Sequence, residues 1–250
     1  AATLAIIFFG DRPLAAYPQF VTFQAGFVLV VDSIVAYMLF GQFAFRRYLS
    51  YAILGAAYLF TALIVVPFLF AFPGALRAGT FMIGGAQSAV WLWHAWHVFF
   101  PVLIGLALLT HERGAGRKVQ RERVAAVIAS SVALAAVLAL FSTVAATAFH
   151  HRLPVLLADG TPPLTPAFYA ASGTATVATA VALGLALWVG RRRSMLHVWL
   201  AVALTALLGD VVANLMPSGR YTVGWYGARI ESMIAAVVLL LVFLGGINRL

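Results

Sequence analysis

Residues 89–101 read AVWLWHAWHVFFP, in the middle of an apolar run that extends from about residue 80 to 110. This run contains no Asp, Glu, Lys or Arg, but it carries two histidines, His94 and His97. Such a run is typical of a transmembrane helix, because about 20 apolar helical residues cross the roughly 30 Å hydrocarbon core of a bilayer. The stretch therefore predicts a membrane span with two histidines inside it.

Further apolar runs on both sides extend this prediction to the whole chain. They lie at about residues 18–44, 48–72, 124–149, 166–190, 195–215 and 225–247. Turn-forming stretches such as AFPGALRAG and MPSGRYTVG separate them. The first residues, AATLAIIFFG, are too few to cross a bilayer and are expected to end a further span. We predict an all-α integral membrane protein, a bundle of about eight transmembrane helices with the first partly missing, that forms one domain over residues 1–250.

The composition excludes several other classes of protein. Hydrophobic residues make up 64% of the chain and charged residues 9%, which is outside the range of ordinary soluble domains. The net charge of +9 comes from short loops between apolar runs, so we expect a lipid bilayer and no nucleic acid as partner. The chain has no cysteine, so a metal would need His, Asp, Glu or carbonyl ligands.

The basic residues alternate between loops, and this predicts the topology. One side of the predicted bundle carries 11 of the 16 Lys and Arg residues: Arg46, Arg47, Arg113, Arg117, Lys118, Arg121, Arg123, Arg191, Arg192, Arg193 and Arg249. By the positive-inside rule this side is cytoplasmic. Both ends of a complete eight-span domain would then face the cytoplasm.

Three acidic residues, Asp32, Asp210 and Glu231, lie inside apolar runs. Because a charge in hydrocarbon is costly, such residues usually face the interior of a bundle or a wet cavity. Helical rise, counted from the basic ends of the spans, places the three acids and both histidines about 21–27 Å from the cytoplasmic side. We therefore predict that these residues form one polar layer in the outer half of the bilayer.

Other polar and aromatic side chains lie near this predicted layer. Gln87 and Trp91 share a helix face with His94, and Asn214 follows Asp210 by one turn. Arg229 would reach the outer interface, as a partner for Asp210 or Asp32. The complete set of candidates for ligand binding or sensing is Asp32, Gln87, Trp91, His94, His97, Asp210, Asn214, Tyr221, Trp225, Tyr226, Arg229 and Glu231.

Structural roles compete with these functional ones. Trp and Tyr are enriched at membrane interfaces, so the aromatic candidates also suit anchoring. A buried Asp–Arg pair can simply link two helices, and histidines can hydrogen-bond across helices.

The cofactor remains open at this stage between a metal, a haem and a quinone. His94 and His97, three residues apart, suit one metal together with Asp32 or Asp210. That spacing does not suit both axial positions of one haem, which would need a second ligand from elsewhere. His150 and His151, at the outer end of a span, are candidates for a pH or metal effect. No nucleophile elbow, HExxH motif or phosphate-binding glycine loop occurs, so no catalytic residue is predicted.

Four stretches in order resemble the fourth class of membrane-associated sensor domains, the MASE-type input modules of bacterial signalling proteins. They are VDSIVAYMLFGQF (31–43), GAAYLFTALIVVPFLFAFPGA (55–75), GAQSAVWLWHAWHVFFPVLI (85–104) and GRYTVGWYGARIESMIAAVVLLL (219–241). The chain departs from the family pattern at RRRSMLHVWL (191–200), where an acidic residue is usual before the tryptophan. Positions that match the pattern are Asp32, Trp91, His94, Pro101, Arg220, Tyr221, Trp225, Tyr226 and Arg229.

The resemblance implies a sensory domain of the bacterial inner membrane. It further implies a cytoplasmic output domain after residue 250, a diguanylate cyclase or a histidine kinase, and a homodimer, because such outputs work as dimers. The domain itself would not be an enzyme. Two competing hypotheses are a redox or metal-dependent membrane enzyme that uses the His and Asp layer, and a transporter or channel in which Asp32 and Asp210 line a path.

Overall fold

Long apolar helices account for nearly all of the regular structure, as the sequence predicts. The structure is a computed structural model that describes residues 9–113, 118–157, 165–190, 195–215 and 220–247. The helices are α1 (Gln19–Arg46), α2 (Leu49–Ala71), α3 (Ser88–Arg113), α4 (Val124–Thr147), α5 (Pro166–Gly190), α6 (Met195–Leu215) and α7 (Val223–Ile247). The first six of these are long and apolar enough to cross a membrane.

The expectation of about eight helices is too high, since the described residues form seven long ones. Most of the stretch from which the first helix was predicted lies outside the described residues. The segment that follows it is not helical, because Pro13 and Pro18 interrupt the backbone hydrogen bonding of a helix. Pro13 instead forms an antiparallel bridge with Thr222, so this segment pairs with the chain just before α7.

Helix α3 begins at Ser88, several residues later than the apolar run that predicted it. The preceding loop contains Gly74, Gly79 and Gly84, each with a positive φ angle that favours glycine. The hydroxyl of Ser88 accepts a 2.8 Å hydrogen bond from the amide of Gly85, which ends the loop and starts the helix. Apolar side chains in a glycine-rich stretch therefore gave a false helical signal.

Six of the helices form a closed ring. Neighbours around the ring pack in the order α1, α2, α3, α5, α6 and α7, and α7 returns to α1. Helix α4 lies outside this ring against α2. Only 17% of the apolar window of α4 is buried inside the protein, compared with 67% for α3. The ring therefore encloses the core, and α4 presents most of its surface to lipid.

The orientation predicted from the basic residues can be measured with single cysteines, because the natural chain has none. Ala78 lies in the exposed α2–α3 loop and Gln120 lies in the exposed α3–α4 loop. We expect a membrane-impermeant maleimide to label Ala78→Cys in intact cells and to label Gln120→Cys only after lysis. The opposite pattern would reverse the predicted topology.

Candidate functional site

His97 and Asp210 form a buried contact between α3 and α6, which lie on different sides of α5 in the ring. His97 Nε2 is 2.8 Å from Asp210 Oδ2, and the side chains are 0% and 2% exposed. His97 Nδ1 donates to the carbonyl of Trp93 at 2.7 Å. Since both nitrogens of His97 face acceptors, a proton lies in the contact between Nε2 and the carboxyl group of Asp210. The two side chains are therefore joined by a buried hydrogen bond.

Asp210 continues the contact to α7 through an amide. Asn214 Nδ2 donates to Asp210 Oδ1 at 2.7 Å, and Asn214 Oδ1 accepts from Arg229 Nη1 at 2.9 Å. Arg229 also lies with its guanidinium carbon 4.1 Å from the centre of the Trp225 ring, a favourable cation–π distance. We call these residues, His97, Asp210, Asn214 and Arg229, the α3–α6–α7 network. It joins three helices by side chains that point inward.

His94 lies beside this network and contacts a different helix. Its Nδ1 donates to the carbonyl of Val90 at 2.8 Å, so its Nε2 is the acceptor for the hydroxyl of Ser172 on α5, at 2.9 Å. The imidazole also packs edge-to-face against Phe168 and Trp93. His94 is thus satisfied as a neutral imidazole, in contrast to His97.

A groove opens between α3 and α5 next to His94. Its volume is about 490 Å³, which is within the range of small-molecule sites. Aromatic and aliphatic side chains of α3 form one wall and small residues of α5 form the other; the lining is Trp91, His94, Ala95, Val98, Phe99, Pro154, Ala167, Ala170, Ala171 and Thr174. The groove is therefore almost entirely apolar.

Gln87 and Trp91 hold the loop between α4 and α5. Gln87 accepts from the amides of Leu156 and Leu157 at 3.0 Å each and donates to the carbonyl of Leu157 at 2.7 Å. Trp91 Nε1 donates to the carbonyl of Pro154 at 3.2 Å. These two candidates position the loop at one end of the groove.

Tyr221 and Tyr226 bind the segment before α1. The amide of Leu14 donates to the carbonyl of Tyr221 at 2.8 Å. The hydroxyl of Tyr226 donates to the carbonyl of Ala15 at 2.8 Å and accepts from the amide of Tyr17 at 3.0 Å. Burial raises the pKa of Tyr221 and lowers the pKa of the neighbouring Arg220. These tyrosines therefore hold the segment before α1 against the start of α7.

Asp32 and Glu231 lie apart from the α3–α6–α7 network. Asp32 contacts the hydroxyl of Thr61 on α2, and the structure pairs Arg229 with Asn214 rather than with Asp32. The Glu231 carboxylate packs against Gly209, where an added Cβ would lie 2.6 Å from Glu231 Oε2. The predicted single layer is thus divided into separate contacts.

The tryptophans Trp93, Trp96 and Trp225 are between 4% and 7% exposed, so they belong to the core and not to an interfacial belt. His97 stacks on Trp93 with ring centres 4.0 Å apart. Within the described ranges, no group of three or more His, Cys, Asp or Glu side chains is arranged to hold a metal ion.

Sequence reasoning missed two partners, Ser172 and Thr61. Both are small polar residues in apolar helices, and nothing in their neighbouring sequence separates them from Thr179 or Ser142, which bond only to their own helices. Only the packing of α3 on α5, and of α1 on α2, selects them.

The fold and the inward polar contacts define a polytopic α-helical membrane domain. The chain belongs to the MASE4 family, described as a membrane-associated sensor, integral membrane domain, whose profile matches residues 15–250. The resemblance predicted from the sequence is confirmed, and with it the assignment of this domain as a membrane sensor domain rather than a catalytic one. Comparisons with curated proteins and with solved structures gave no match.

The energetic link between His97 and Asp210 can be measured by a double-mutant cycle with His97→Ala and Asp210→Ala. We expect a coupling free energy of about 0.5–3 kcal/mol, because each single change leaves a buried polar partner unsatisfied. Reversible unfolding of the purified protein in mixed micelles gives the four stabilities. Additive effects would mean that the contact contributes nothing to the stability of the bundle.

Proposed function

We propose that this domain is the transmembrane input of a bacterial signalling protein, in which a ligand, redox or membrane signal acts on the outer half of the bundle. The signal regulates a C-terminal cytoplasmic domain, with cyclic-di-GMP synthesis as the output. The domain acts as a homodimer in the bacterial inner membrane, with its basic loops in the cytoplasm. The observation that supports this proposal is the α3–α6–α7 network, which connects the aromatic residues of α3 around His97 to the last helix, α7.

The mechanism follows from the cost of leaving any member of the network unpaired. His97 fixes α3 to α6, and Arg229 fixes α7 to Asn214 of α6. A signal that moves the proton between His97 and Asp210, or that shifts α3 against α5, changes the preferred position of α6. Helix α7 then shifts with Arg229, and its inner end carries the change to the cytoplasm as a change in population between two packings.

The groove beside His94 supports a lipid-soluble ligand with a planar ring, such as a quinone. Phe99 and Trp91 supply flat surfaces on α3, and alanines of α5 leave room opposite them. Such a ring would leave both hydrogen bonds of His94 in place. A metal or a haem at His94 would require the hydroxyl of Ser172 to leave Nε2, so the groove favours the quinone among the three cofactor classes.

Breaking the network should change the output without any stimulus. We expect His97→Gln and Asp210→Asn to alter cyclic-di-GMP production by the full-length protein in membranes, by about tenfold for each 1.4 kcal/mol of differential stabilisation. The control is Glu122→Gln, because Glu122 is an exposed ionisable residue outside the network. Unchanged production in both network variants, or a gene that encodes no cytoplasmic domain after residue 250, would contradict the proposal.

Filling the groove should block the ligand. The probe is decylubiquinone, and the measurement is quenching of tryptophan fluorescence in nanodiscs. We expect the natural protein to be quenched with saturation and Ala170→Leu to lose the saturable part, because Ala170 lines the groove. The control is Ala133→Leu on the exposed face of α4. Equal saturable quenching in all three proteins would exclude the groove as the quinone site.

A further inference from the structure

Asp32 is a buried carboxyl group that the α3–α6–α7 network does not use. It is 3% exposed between α1 and α2, and its nearest polar neighbours, Tyr58 and Thr61 of α2, are each 1% exposed. Tyr58 packs edge-to-face on Phe100 of α3, with ring centres 5.2 Å apart. The carboxyl group is therefore enclosed by packed helices.

Among the described residues, no Lys, Arg or His side chain forms a salt bridge with Asp32. The helices packed on α1 and α2 do carry ionisable groups, but these are directed elsewhere. Arg229 bonds Asn214, His94 bonds Ser172, Glu231 packs on Gly209, and Arg46 bonds Gln42 at the inner end of α1. Helix α4 has no ionisable residue. Tyr58 is the titratable group that remains beside Asp32.

The hydroxyl of Thr61 has two oxygen neighbours, which leaves a place for a proton on Asp32. The hydroxyl of Thr61 contacts both Asp32 Oδ2 and the carbonyl of Tyr58, the latter at 2.8 Å. A hydroxyl has one hydrogen, and a carbonyl oxygen can only accept. When Thr61 donates to the carbonyl of Tyr58, the hydrogen in the contact with Asp32 must come from Asp32.

The remaining oxygen of Asp32 points to the same conclusion. Asp32 Oδ1 has no hydrogen-bond partner among the described residues, and neither does the hydroxyl of Tyr58. An ionised carboxylate would thus keep one oxygen without a donor and its charge without a counter-ion, and both are unfavourable in a buried site. A neutral acid avoids both costs.

We propose that Asp32, Thr61 and Tyr58 form a buried proton-binding site, in which Asp32 is a neutral carboxylic acid that donates to Thr61 and Thr61 donates to the carbonyl of Tyr58. Loss of this proton leaves an uncompensated charge between α1 and α2, which the packing relieves by opening to water. Helix α1 also reaches α7, since Gln24 Nε2 donates to Ser232 Oγ at 2.8 Å. Binding and release of a proton at Asp32 therefore act on the last helix from the side opposite α6.

Infrared difference spectroscopy of the protein in nanodiscs at neutral pH tests this site, and it requires no output domain. We expect Asp32→Asn to remove a carbonyl stretching band of a protonated carboxyl group. Thr61→Val should shift that band to higher wavenumber, because the acceptor of its hydrogen bond is lost. The matched control is Glu122→Gln, since Glu122 is exposed between α3 and α4 and its removal should affect only carboxylate bands.

Two results would overturn the proposal. Loss of carboxylate bands, with no change in the protonated-carboxyl region, would mean that Asp32 is ionised. Disappearance of the protonated band when sodium replaces choline in the buffer would mean that the site binds a metal cation in place of the proton. Thr61→Val keeps the carboxyl group, so the shift of the band remains measurable even if Asp32→Asn fails to fold. This test can fail while the output proposal stands, and the reverse also holds.

Discussion

Asp210 places a carboxyl group inside the helical ring, where its side chain is only 2% exposed, and its contact with His97 determines much of the surrounding geometry. The carbonyl of Trp93, one helix turn before His97, accepts a hydrogen bond from Nδ1 and holds the imidazole in place. Holding the carboxylate takes Asn214, one turn further along α6. Arg229 then satisfies the amide oxygen. Each partner is thus needed by the one before it, because an unsatisfied polar group in a low-dielectric interior costs more than a satisfied one contributes.

The closed ring makes such a network effective as a coupling element. Helices α3 and α6 are separated in the ring by α5, so a contact between them constrains how α5 packs on both. Small residues on α5 and the hydroxyl of Ser172 allow α3 to approach closely, which is a common device in membrane bundles. The groove lies at the same boundary between α3 and α5. His94, which lines it, lies on α3 one turn before His97 of the network. The groove and the network thus share the packing of α3 against α5.

The two ends of the bundle are fixed by different means. At one end, Gln87 holds the α4–α5 loop and Tyr226 holds the segment before α1. Aromatic rings fill the space beneath, with Trp225 packed against Phe72 and Tyr221. At the opposite end of the bundle, Arg47 ends α1 in a left-handed conformation and its carbonyl accepts from the amide of Val119. The loops at both ends of the bundle are thus joined to the helices by hydrogen bonds.

The sequence by itself determined the class of protein and the approximate limits of its helices. The thickness of the hydrocarbon core sets the length and apolar character of a span, and both are local properties of the sequence. It also placed His97 and Asp210 in one polar layer, with Asn214 and Arg229 as candidates beside it, since a polar side chain in a span has few alternatives to facing the bundle. The tertiary structure decided which of these residues meet. From the sequence alone, Arg229 could have paired with Asp32. Nothing in the sequence around Thr61 and Ser172 indicates that they bond to another helix. The closure of the ring, which no stretch of sequence encodes alone, brought α6 to α3 and left Asp32 facing α2.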